Sequence, residues 1–146
     1  MLLLCAALAA AIPASEVAVA RRGGDRFMAE LVARSFFRAL LAGDVKALLP
    51  LCAKRVNLDG RWVEQPRLSA ELLRLTERAR STALKLRRVK LVSYAEMVKR
   101  HGPPPKRLAG AVSRRDMIAL ARFNRLGALA VLTKQGRFWR VAMLSD

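Results

Sequence analysis

The chain has 146 residues, 53% of them hydrophobic, which is enough for one domain around one core and gives no sign of a second domain or an internal repeat. Its formal net charge of +17 comes from 28 Lys and Arg against 11 Asp and Glu, and 21 of the basic residues are arginine. Such a field repels cations and attracts phosphates, anionic lipid surfaces and acidic polymers, although a genome rich in G and C would encode the same excess of Arg and Ala.

Met1 to Pro13 is apolar, and no charge precedes Glu16. A membrane span needs about 20 apolar residues, so this run is too short for one. It matches the apolar core of an export signal, and Ala18-Val19-Ala20 before Arg21 matches an A-x-A cleavage site. No basic residue stands ahead of Leu2, so the alternative is an apolar first helix kept in the folded protein. The expected organisation is an export signal over 1–20, a polar linker over 21–26 (Arg21-Arg22-Gly23-Gly24-Asp25-Arg26) and a domain over 27–146. The mature chain is then exported, periplasmic or secreted, without a transmembrane segment. Leu2-Leu3-Leu4 before Cys5 lacks the small residues of a lipidation box, so no lipid is expected on Cys5. With the leader gone Cys52 is alone, and the fold depends on its core rather than on a disulfide. The apolar neighbours Leu48, Leu49 and Leu51 predict that Cys52 is a buried small hydrophobe.

A first helix is predicted from about Arg26 to Ala42, with Met28, Leu31, Val32, Ser35, Phe36, Ala39 and Leu40 on its apolar face. Gly43 stops it and Asp44 caps a short second helix that Pro50 breaks. Arg55 to Val63 alternates around Asp59-Gly60, a hairpin signal. Arg67 to Arg80 carries Leu68, Leu72, Leu75 and Ala79 at helical spacing, with Gln65 or Ser69 at its start.

Ala83 to Ser93 reads as a strand whose alternation slips at Arg87-Arg88, which predicts a β-bulge there. Ser93 and Glu96 form a capping box for a short helix over Tyr94–Arg100, ended by Gly102. Pro103-Pro104-Pro105 must be extended, and Lys106 to Arg115 is a basic loop. Lys99, Arg100, Lys106, Arg107, Arg114 and Arg115 make this stretch the candidate basic patch. Three strands close the chain: Met117–Phe123, Ala128–Thr133 and Arg137–Leu144, with turns at Asn124-Arg125-Leu126-Gly127 and Gln135-Gly136.

The Gly43-Asp44 helix junction, the Asp59-Gly60 hairpin, the third helix, the bent strand and the aromatic last strand Phe138-Trp139-Arg140-Val141-Ala142 together resemble the nuclear transport factor 2-like (SnoaL-like) superfamily. The resemblance covers Met28 to Ser145 and departs from the family pattern at Pro50 and at Pro103–Pro105. It implies an α+β fold in which three N-terminal helices pack on a curved, mostly antiparallel sheet, a cone-like, cystatin-like roll. It also implies a pocket between helix and sheet, lined by Phe36, Leu40, Trp62, Leu72, Phe123 and Trp139, and a possible homodimer through the open sheet face.

Enzymes of that superfamily use Tyr with carboxylic acids, Asp with His, or paired Asp with Arg. The candidates here are Tyr94, Asp59, Asp116 and His101. Each also has a plain structural role: Asp59 in a turn, Asp116 beside Arg114-Arg115, His101 at a helix end, Tyr94 as a core aromatic. One His and one mature Cys cannot furnish the usual zinc or copper ligand sets, so no metal and no cofactor is expected. The leading expectation is a non-catalytic, exported binding or accessory domain with a small apolar pocket, its basic surface meeting an anionic envelope component or an acidic protein. The alternatives are a small-molecule lyase or isomerase, and a non-specific binder of nucleic acid or another polyanion. Stacking on bases needs exposed aromatics, and only Trp62 beside Arg61 reads as one; a basic surface without a reading element gives salt-sensitive, sequence-indifferent association at best, so sequence-specific nucleic-acid recognition is not expected.

Overall fold

The computed structural model describes residues 14–146, and the expected export signal therefore lies largely outside the described residues. The fold is α+β. In chain order come α1 (Ala14–Ala42), α2 (Val45–Leu48), a 3-10 turn (Leu49–Leu51), β1 (Cys52–Leu58), β2 (Arg61–Glu64), α3 (Arg67–Ser81), β3 (Leu86–Ser93), α4 (Tyr94–His101), α5 (Lys106–Ala109), β4 (Met117–Phe123), β5 (Gly127–Gln135) and β6 (Phe138–Ser145). The strands form one open mixed sheet in the order β2-β1-β6-β5-β4-β3. Every neighbouring pair is antiparallel except β1 and β6, which run parallel. The helices are not all N-terminal: α3 follows the first hairpin, and α4 and α5 lie between β3 and β4.

Local chemistry sets most of these boundaries. Gly43 takes φ 73°, which ends α1, and Asp44 accepts from the Ala47 N–H at 3.0 Å to begin α2. Pro50 converts the next turn to 3-10. Asp59 and Gly60, at φ 50° and 90°, make the β1–β2 hairpin. On β3 the pairing with β4 shifts between Leu86 and Arg88, the bulge that the hydrophobic pattern required.

The N-terminal half of α1 differs from expectation. Residues 21–26 are helical rather than an open linker. Two glycines disfavour a helix by about 1 kcal/mol each, but a helix already nucleated extends at little cost. Its turns are also held to the sheet: Arg26 Nη2 donates to the Leu91 carbonyl at 2.8 Å, and Lys134 Nζ reaches the Asp25 carboxylate at 2.7 Å. The buried face of α1 is rotated from the one expected. Ala29, Ala33, Phe36, Phe37 and Leu40 are buried, while Phe27, Met28 and Leu31 are exposed.

Strand side chains alternate between two faces, and both faces are used. On the inner face α1 and α3 cover Val89, Leu91, Ala119, Ala121, Phe123, Ala130, Leu132, Trp139 and Val141, the main core. On the outer face Val92, Ile118, Val131 and Met143 form a smaller cluster with Leu108 of α5 and Met97 of α4.

Candidate functional site

The best-formed cavity, about 340 Å³, opens at one end of the inner layer. The end of α1 supplies Leu40, α3 supplies Glu71, Arg74, Leu75, Arg78 and Ala79, the β1–β2 hairpin supplies Leu58, Asp59 and Arg61, the sheet ends supply Phe123, Ala128 and Leu144, and Asp146 adds a carboxylate after β6. The helical spacing of Glu71, Arg74, Leu75, Arg78 and Ala79 places all five on one side of α3. The floor is apolar and the rim is charged. Glu71 is shared by two guanidinium groups, Arg74 at 3.3 Å and Arg61 at 4.0 Å. Arg78 has no ion-pair partner among the described residues. Its backbone carbonyl is engaged by the N–H of Thr82 at 3.1 Å and by the hydroxyls of Ser81 and Thr82, each at 2.9 Å, and these contacts close the end of α3.

Of the six side chains expected to line a pocket, Leu40 and Phe123 do so. Phe36 and Leu72 are wholly buried and fill the layer beneath it. Trp139 is buried farther along the inner face, and its indole N–H lacks a hydrogen-bond partner. Trp62 points the other way, to the outer face, and is 48% exposed. The orientation of Trp62 has a local cause. The β1–β2 hairpin turns at Asp59-Gly60, and its parity sends Val63 inward and Trp62 outward.

The expected acid–base residues are not brought together. Asp59 lies at the cavity mouth, in the turn. Tyr94 and His101 share one side of α4 and line a separate apolar crevice of about 130 Å³ on the outer layer, against Pro103–Pro105 and Met143. Asp116 is buried before β4, where its Oδ2 accepts from the Ser113 N–H at 2.7 Å. Among the described residues no three His, Cys, Asp or Glu side chains converge as metal ligands.

The basic stretch is more ordered than a loop. Lys99 and Arg100 sit in the last turn of α4, Lys106 and Arg107 open the short helix α5, and the Ser113–Asp116 turn leaves Arg114 and Arg115 exposed. Leu108 packs under this segment onto the sheet and fixes it there, a long-range contact that no local pattern announces. Cys52 is buried at the start of β1. Desolvation pushes its thiol up to about 12, against a smaller opposite pull from Arg140. It is therefore an inert core thiol, as its apolar neighbours predicted. Among the described residues no helix is long and apolar enough to cross a membrane.

Arg61, Glu71, Arg74 and Arg78 went unnoticed in the sequence as site residues. The available signal was the i, i+3, i+7 spacing of Glu71, Arg74 and Arg78 beside Leu75, hidden in a helix where charges usually face solvent. The chain matches no protein-family model and no curated protein sequence.

Proposed function

We propose that the chain is a nuclear transport factor 2-like domain that binds a small amphipathic anion in the cavity at the end of its inner layer. The order of elements supports the family reading: a long helix, a Gly-Asp junction, a hairpin, a third helix, a bulged strand and an aromatic last strand. The bulges on β3 and at Val131/Leu132 are the local devices by which a sheet curves, and they support a cone-like roll. The observation that carries the ligand reading is the rim of the cavity. Arg61, Arg74 and Arg78 line it with an apolar floor of Leu40, Leu75 and Phe123; Glu71 pairs with the first two, and Arg78 pairs with no carboxylate among the described residues, Asp59 and Asp146 of the same lining included. An apolar body with one carboxylate, sulfonate or phosphate matches that lining, since guanidinium groups pair bidentately with such heads.

Displacement of anilinonaphthalene sulfonate, itself an apolar anion, tests the reading. Medium-chain carboxylates displace the dye and alkylamines of equal length do not. Equal displacement by both, or no dye binding, overturns it. A second reading, a lyase or isomerase, draws on Asp59 at the cavity mouth. Glu71 and Asp146 line the same cavity, whereas Tyr94, His101 and Asp116 lie on the outer layer, so this reading requires one of those two carboxylates as the partner of Asp59.

The same proposal places the protein outside the cytoplasm, on the strength of Met1–Pro13 and Ala18-Val19-Ala20. The intact mass of protein recovered from envelope and medium fractions checks it: loss of residues 1–20 supports export, and a full-length mass confined to the cytosol removes it.

A further inference from the structure

We propose that the open part of the outer face binds single-stranded nucleic acid without reading its sequence. A trough of about 560 Å³ runs there from Trp62 on β2, past Lys54 and Arg55 on β1 and Ala142 on β6, to Thr133 on β5. Ala53 and Ala142 keep its floor low. Trp62 is 48% exposed, and the Arg55 guanidinium lies 5.2 Å from its ring centroid. The arrangement recurs at the start of β6, where Phe138 is 58% exposed and the Arg140 guanidinium lies 5.2 Å from its ring. Arg140 is held in place by donating to the Pro50 carbonyl. The acid in the lining, Asp116, is buried and already accepts from the Ser113 N–H.

This juxtaposition suits one chemistry. Exposed rings offer a stacking face that every base can use, and guanidinium planes stack as well as pair with phosphate. Lys54, Arg55 and Arg140 supply three cations for the backbone of the strand, in a chain of net charge +17. The trough is shallow and open, with a small-residue floor along which a flexible strand can lie. A second copy related by a two-fold axis would set like charges against one another, because a two-fold contact uses the same patch twice. The trough lies on the opposite face of the sheet from the cavity at the end of the inner layer, so the inference is independent of the ligand proposed for that cavity.

Intrinsic fluorescence reads the event directly, because Trp62 is exposed and Trp139 is buried. Oligo-dT is titrated into the full chain at several salt concentrations between about 50 and 200 mM, a range over which phosphate contacts weaken steeply. Quenching of Trp62 is expected, with affinity falling as salt rises. Because these variants lack the reporting indole, their affinity is read from the fluorescence anisotropy of end-labelled oligo-dT: Trp62→Ala weakens binding about tenfold with the salt slope unchanged, and Trp62→Phe restores most of it. Arg55→Ala flattens the slope of log affinity against log salt by about 0.7, the share of one phosphate contact on a single strand. Four results would each overturn the proposal: no binding at the lowest salt, wild-type affinity in Trp62→Ala, equal affinity for polyphosphate, or a dimer in solution that shields Trp62.

Discussion

Phe37 of α1 meets Phe123 of β4 edge to face, with ring centroids 5.9 Å apart and planes at 74°. Phe36 stands edge-on to Phe37 in turn, at 5.5 Å. The trio joins the main helix to the end of β4, and Phe123 carries the contact up to the cavity wall. Phe37→Ala should therefore cost about 3–5 kcal/mol, the usual cost of a core aromatic truncated beneath a rigid layer. Urea denaturation measures it. A change below about 1 kcal/mol would mean that the helix does not depend on this contact.

The cavity can be altered without disturbing the core below it. Leu75→Trp fills the space between α3 and Leu40 and should abolish dye binding. Arg78→Ala should leave the midpoint of thermal unfolding nearly unchanged, since a surface charge away from a network is usually worth less than about 0.5 kcal/mol. It should nonetheless remove the preference for carboxylates over amines. Calorimetry on both variants separates loss of fold from loss of ligand.

Cys52 gives a pH dependence of known sign. Its folded pKa stands above that of the free thiol, so between pH 9 and about 12 the unfolded chain releases a proton that the folded chain keeps. This contribution is intact below pH 9 and declines as pH rises through that window, by at most about 1.4 kcal/mol per pH unit. Cys52→Ala should flatten that alkaline slope relative to wild type. At neutral pH, on a Cys5→Ala background, a disulfide exchange reagent should label Cys52 of the native protein only at the rate of unfolding.

The Ser93–Glu96 box can be tested at both ends. Ser93 Oγ accepts from the Glu96 N–H at 3.2 Å, and the Ser93 N–H donates to Glu96 Oε2 at 2.7 Å. That backbone donor, with help from the Ser93 hydroxyl and from Arg26 and Arg100, holds the Glu96 carboxyl below its ordinary value. The linked stability is present above the ordinary carboxylate pKa and is lost as pH falls through the lowered one. Ser93→Ala should cost about 1 kcal/mol and speed amide exchange in α4 more than elsewhere. Glu96→Gln should soften the acid limb of the stability curve.

Features set by neighbours in sequence were legible. Gly43 and Asp44, the Asp59-Gly60 turn, the slip at Arg87-Arg88, the capping box and the closing meander each depend on a few adjacent residues. Features set by distant partners were not. The helix passes through Gly23 and Gly24 because Asp25 and Arg26 are tied to Lys134 and Leu91, and no local pattern reports that. Trp62 and Val63 differ by one position, and only the register with β1 decides which faces the core. Tyr94 and His101 went to the outer layer because α4 crosses behind β3 and β4, a choice of side that its periodicity does not encode.

The parallel pairing of β1 with β6 has a consequence for synthesis on the ribosome. β1 emerges early, yet one of its two edges finds its neighbour only after residues Phe138–Ser145 have left the exit tunnel. Until then the nascent protein holds a lone hairpin and a separate β3–β4–β5 ribbon, with a hydrophobic gap between them. A stop codon just before Phe138 should thus yield two unjoined pieces and a product cleared by proteases, far out of proportion to the few amino acids removed.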